Sequence, residues 1–263
     1  MPTNTAAVDA RELPWQAVHY LRKTVNFNDT GISSGIPFAQ YLPAGASITG
    51  SRITVDGNNV TLDGYDCTGI DIQQDGDNLT VTNTKFVVQG DGASKCIFGN
   101  TTANGLTVRY CTFDGQNFDT DTGPFIDFRG GSGTITIEWN WFHNIAGDFL
   151  SIAVASGATV TQVIRFNVLE NNAMQAAHPD WMQTGTAGTL NSTISFNLGY
   201  QHNSVTGTQG FVIELSTLTT ISNNCMIAIG DPGTISRFIQ FTADTVTGVA
   251  NTNYCDMSAA ILF

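Results

Sequence analysis

A short apolar phrase returns along this chain at nearly constant spacing, and that repeat leaves few folds open. LTVTNTKF at Leu79, LTVRYCTF at Leu106, ITIEWNWF at Ile135, QVIRFNVL at Gln162, STISFNLG at Ser192 and TTISNNCM at Thr219 share one pattern. Taking the second inward apolar residue as a mark gives Val81, Val108, Ile137, Ile164, Ile194, Ile221 and then Ala250, at steps of 27, 29, 27, 30, 27 and 29 residues. Apolar residues alternate within each unit and show no 3.6-residue period, so the units are strands. Near-constant periods of this length mark a solenoid, whose units bury their apolar face only by stacking. The expected fold is all-β: a right-handed parallel β-helix over residues 49–263, preceded by a cap or anchor segment at residues 1–48.

A second column lies three residues past each mark: Cys111, then Asn140, Asn167, Asn197, Asn224 and Asn253. In a parallel coil, equivalent residues stack about 4.8 Å apart. Stacked amides donate to one neighbour and accept from the other, which satisfies polar groups at an inward turn. A general liking of Asn for turns explains any one of these residues, but not five in one column. The column predicts a structural Asn ladder.

A further strand aligns in each rung: Phe125–Phe128, Phe149–Ile152, Trp181–Thr184, Val212–Leu215 and Phe238–Phe241. Alternation sends Ile126, Leu150, Met182, Ile213 and Ile239 inward, with Phe128, Ile152, Thr184, Leu215 and Phe241. The outward face then carries Phe125, Phe149, Trp181, Val212 and Phe238 beside Asp127, Ser151, Gln183, Glu214 and Gln240. An outward aromatic stripe needs a cover, either a loop, another subunit or sugar rings.

The Asn column and the run GNNVTLDG at Gly57–Gly64 resemble the pectate-lyase-type β-helix superfamily. The resemblance implies that the ladder lies between the second and third sheets. It also implies that the Phe125–Phe128 series belongs to the first sheet, whose outer face binds glycan in family members. The phrase RKTVNFND…GIPFAQYLPAGA, with strand candidates at Tyr20–Phe27 and Gly35–Leu42, is similar to the opening of small structural proteins of tailed bacteriophages. It implies a virion location, other virion proteins as partners and a homo-oligomer, a trimer above all. A segment in this place caps the terminal rung or anchors the coil.

Charge narrows the partners. The 263 residues hold 10 Lys plus Arg against 22 acids, for a net charge of −12. Such a field repels phosphate backbones and anionic lipid, so no nucleic acid or membrane partner is expected. The first residues lack the basic flank and apolar core of a secretory signal. The five cysteines form no CxxC pair and read as reduced, buried apolar residues.

The densest polar cluster is His178-Pro179-Asp180-Trp181-Met182-Gln183, followed by Thr208-Gln209-Gly210. HPDWMQ…TQG resembles an H-x-D-x-x-Q…T-Q-G pattern of some carbohydrate-active bacterial β-helix proteins. Asp148 and Asp180 precede first-sheet strands on adjacent rungs, roughly 5 Å apart along the backbone. Such a pair can serve as acid and nucleophile in a retaining glycosidase, or hold calcium, and otherwise caps turns. The catalytic candidates are therefore Asp148, His178 and Asp180. The glycan-binding or interface candidates are Phe125, Asp127, Phe149, Trp181, Gln183, Glu214, Arg237, Phe238 and Gln240, with Arg237 placed to neutralise a uronate. His143 and His202 read as turn or surface residues. No resident cofactor or metal is otherwise expected.

Two function classes stand. The first is a phage surface protein in a head decoration, fibre or short spike, with or without bound host polysaccharide. The second is a polysaccharide lyase or glycoside hydrolase. The first is favoured, because the chain is small for a depolymerase spike and no Lys or Arg lies beside the acid pair as a lyase base, which leaves only His178 for that role.

Overall fold

The structure, a computed structural model, describes residues 42–89, 95–116, 123–172, 180–185, 188–201, 205–214, 218–228, 233–241, 248–255 and 260–262. Among these there is no helix. Three sheets of ten, eight and eight strands run along the molecule, and the chain visits them in strict rotation. Every strand pairs with its counterpart one coil away, and every pairing is parallel except the first. The molecule is a parallel β-solenoid. The apolar marks are in register: Val81 pairs with Val108, Val108 with Ile137, Ile137 with Ile164, Ile164 with Ile194, Ile194 with Ile221, and Ile221 with Ala250. One earlier coil is shorter, with Leu62 against Val81.

The exceptional pairing lies at the base. Ala46–Thr49 runs antiparallel to Arg52–Val55, the outermost parallel strand of the first sheet. A solenoid's first rung exposes an unpaired strand edge, and a reversed strand closes it. Both earlier strand candidates, apart from Leu42 itself, lie outside the described residues.

Asn140, Asn167, Asn197 and Asn224 are buried at the bend from second to third sheet. Each Nδ2 donates to the Oδ1 of the next Asn in the series, at 2.9–3.0 Å, up to Asn253. Each also donates to a backbone carbonyl of the preceding coil, as Asn197 does to Ile164 at 3.0 Å. The same Oδ1 accepts the backbone N–H of the preceding ladder residue, beginning with Cys111 on Asn140 at 2.9 Å. A sharp bend has no sheet ladder to satisfy its backbone, so this side chain replaces it. The residue just before each ladder position has a left-handed backbone: Tyr110, Trp139, Phe166, Phe196, Asn223 and Thr252 have φ between 52° and 61°.

The first-sheet aromatics correct the expected outward stripe. Phe125, Phe149, Trp181 and Val212 are buried, at 0%, 0%, 1% and 5% exposure. Phe125 and Phe149 stand at the corner where the chain leaves the third sheet. The alternation of a straight strand does not extend through a corner, so two successive residues point inward. Phe125 packs 5.6 Å from Phe113 and 6.1 Å from Phe149, beside the interior stack Phe86–Phe113–Phe142, whose centroids are 4.7 and 4.6 Å apart. These rings cannot stack on sugar. The side chain of Phe238 lies outside the described residues.

The register of the upper first sheet also differs. Met182 pairs with Phe211 and Thr184 with Ile213, and these continue to Ile239 and Phe241. The expected partners were two residues further on. A strand slipped by two residues keeps the same faces inside and outside, so alternation alone cannot tell the two registers apart.

In the interior column Phe86–Phe113–Phe142–Leu169, the next residue is Gly199. Trp181 occupies the vacated space: a Cβ at Gly199 would lie 1.5 Å from Cη2 of the indole. Four cysteines, Cys67, Cys96, Cys111 and Cys225, are buried thiols outside any disulfide. Burial pushes the thiol of Cys111 up to about 12, so it is a packing residue at neutral pH.

Candidate functional site

The sequence candidates gather at the corner entering the first sheet. Asp148 and Asp180 do stand on adjacent coils, since the N–H of Phe149 donates to the Asp180 carbonyl. Asp148 Oδ1 accepts the backbone N–H of Asp180 at 2.8 Å. This is a turn-capping bond, and it occupies one oxygen of the proposed pair. Desolvation raises the Asp148 carboxyl to about 6; the Asp180 N–H opposes the rise, and the charges of Asp127 and Glu214 add to it. Asp180 is 3% exposed, which removes it from direct reach of a polymeric substrate.

Asp127 occupies an outward position yet is 0% exposed, because two cations cover it. Lys95 Nζ pairs with its Oδ2, and Arg129 Nε lies 3.0 Å from both oxygens. Ser151 and Gln183 continue its column, followed by Val212, with Gln240 beyond. Glu214 is therefore outside that column, but it is exposed and accepts from Gln183 Nε2 at 3.0 Å. Backbone register places Arg237 in the column of Asp180, two coils on through Gln209; its side chain is not described. His178 and His202 lie outside the described residues. Among those described, no group of three or more His, Cys, Asp or Glu side chains is arranged to hold a metal ion.

A second outer surface lies at the bend between second and third sheets, and sequence reasoning passed it over. A left-handed backbone turns the residue before each ladder Asn away from the interior. Four successive coils place aromatics there: Tyr110, Trp139, Phe166 and Phe196. Trp139 stacks on Phe166 at 4.4 Å and Phe166 on Phe196 at 5.4 Å, both within 17° of parallel. Phe196 is 39% exposed. Beside this ridge, the last residues of successive second-sheet strands are Arg109, Glu138 and Arg165. Glu138 Oε1 lies 2.7 Å from Arg109 Nε, and Oε2 lies 2.6 Å from Arg165 Nε. The Arg165 guanidinium also sits 5.5 Å above the Phe166 ring.

On the other side of the ridge, the third sheet presents Trp141 and His143, stacked at 4.1 Å. Trp141 Nε1 donates to Glu170 at 2.9 Å. His143 is 8% exposed and stands between Asp114 and Glu170 in one column, which corrects its reading as a turn residue. Burial lowers its affinity for a proton, while Asp114 and Glu170 partly restore it. The ridge had a visible signal: an aromatic directly before the ladder position in YC, WN, FN and FN. Reading it required knowing that the position has positive φ.

Compared with known proteins, the chain matches no family model, no curated protein and no solved structure.

Proposed function

We propose that this chain is a surface protein of a bacteriophage particle that contacts host glycan and does not cleave it. The observation that carries the glycan part is the outward ridge Tyr110–Trp139–Phe166–Phe196 with the Arg109–Glu138–Arg165 network at its side. A bulky residue in the left-handed region costs on the order of 1–3 kcal/mol, and such strain concentrates at functional positions. Asn, tolerant of this conformation, takes the same position at Asn83 and Asn223. The particle location rests on the resemblance of the N-terminal phrase. Against turnover, Asp127 is sealed by two cations, Asp180 is buried and Asp148 caps a backbone N–H. Hydrolysis needs two accessible carboxyls aimed at one bond.

The test combines location and chemistry. Labelled antibody on intact particles should mark their surface. Purified chain should co-sediment with host surface polysaccharide while releasing neither reducing ends nor unsaturated uronates from it, from pectin or from alginate. Cleavage that disappears in Asp148→Asn would replace this reading with the enzyme. That alternative draws on one observation, the carboxyl of Asp148 raised to about 6, within the range of a general acid.

A further inference from the structure

We infer that the ridge site is built for a polyanionic glycan, with Arg109 and Arg165 as a two-pronged anion clamp; this rests on the glycan-contact reading above. Glu138 pairs in register with Arg109 on one coil and Arg165 on the other. Its side chain is 7% exposed, whereas the two arginines are 43% and 44% exposed. Arg165 donates its Nε to that carboxylate, and Arg109 pairs with it by charge, its Nε 2.7 Å from Oε1. The four N–H donors on the terminal nitrogens of each guanidinium remain for an outside partner. The trio carries one net positive charge in a chain of net −12.

Two coils separate the arginine backbones by about 10 Å along the axis, and the shared Glu138 carboxylate draws the two guanidiniums closer than that. Guanidiniums gathered in this way suit a carboxylate, sulfate or phosphate group, and the aromatic ridge beside them favours a glycan that carries such groups over a small anion alone. The ridge supplies the other half of the contact. It runs parallel to the clamp, one residue further along each strand, and Phe196 ends its ring stack. The Phe196 face away from Phe166 lies toward Asn223, where a sugar ring can extend the stack. Charge also fixes which way the polymer extends. Asp63 lies two coils below Arg109 in the same column, while Ser195 and Ser222 above Arg165 are neutral. The polymer therefore runs from Arg109 past Arg165 toward Phe196. This surface is distinct from the first-sheet face that the family resemblance points to.

The experiment uses the full chain and four probes: alginate, dextran sulfate, neutral dextran and duplex DNA. Alginate and dextran sulfate should bind, weakening about tenfold or more as salt rises, while dextran does not. Removing both arginines alone would strand a buried carboxylate, so the loss variant is Arg109→Gln/Glu138→Gln/Arg165→Gln, which should cut binding at least tenfold. Glu138→Gln alone raises the site's charge by one and should bind the anionic probes more tightly, even if it melts lower. A purely structural ion network gives the lower melting temperature without the tighter binding, and that result overturns the inference. Equal binding of dextran and alginate overturns it too, as does DNA binding tighter than either glycan. If host polysaccharide binds equally to wild type and triple variant, the clamp is wrong and the glycan-contact reading survives. If no glycan binds at all, both fall.

Discussion

Asp148 shows how one side chain couples position to pH. Burial pushes its carboxyl up to about 6 in the folded chain, from an ordinary value of 3.8. A raised acid pKa means that the folded state prefers the proton. The contribution of Asp148 to stability is therefore fully present below about pH 4, is lost as pH rises toward 6, and stays lost above it. Asp148→Asn keeps an oxygen for the Asp180 N–H and removes the buried charge. It should raise stability at pH 7.5 by up to about 3 kcal/mol and change it little near pH 4, measured by chemical denaturation at both values. A loss at pH 7.5 would show that the ionised form is needed. His143 works in the opposite sense. Its lowered pKa makes folding less favourable as pH falls through its unfolded value, so His143→Gln should flatten the acid limb of the stability profile.

The elements that define the coil are a bend and an interior column. At the bend, Asn197→Leu leaves the buried backbone N–H of Asn167 without its acceptor and cuts the amide series in two. The expected loss is on the order of 3 kcal/mol in denaturant unfolding. A loss no larger than that of an exposed Thr→Ala change would mean that the ladder is decoration. In the column, Gly199→Ala drives a methyl group into the Trp181 indole and should cost roughly 1–3 kcal/mol. Adding Trp181→Phe should recover part of that loss, because the smaller ring withdraws from the same space. Failure of the double variant to recover would place the cost in the backbone of the third sheet.

For the whole molecule, the open question is what ends the coil. The antiparallel strand Ala46–Thr49 covers the first rung, with Leu42, Ala46 and Ile48 partly buried against the core. Deleting residues 1–41 should leave the β-type circular dichroism and the melting temperature unchanged and, under the proposed function, should abolish attachment to the phage particle. Extending the deletion through residue 49 should lower the melting temperature, because it bares the strand edge of Arg52–Val55. Unfolding by the shorter deletion would make residues 1–41 part of the cap instead of an anchor. The homotrimer implied by the N-terminal phrase is a proposal at this scale, and light scattering that finds only monomer at high concentration would remove it.

The repeat, its phase and the ladder were legible because a solenoid places equivalent residues one above another. A period in the sequence is then directly a contact in space, as for Val81 with Val108 or Asn167 with Asn197. The first-sheet register was not legible, because a two-residue slip preserves every inward and outward face. Nor was the fate of Phe125 and Phe149, whose direction is set by a corner and not by strand alternation. The ridge at Trp139 and Phe166 depended on a positive φ that the tertiary bend imposes against the preference of those residues. The sequence by itself determined which residues stack. Where the chain turns, the direction of each side chain was decided by the tertiary structure, because backbone geometry at a corner is fixed by the coils packed above and below it.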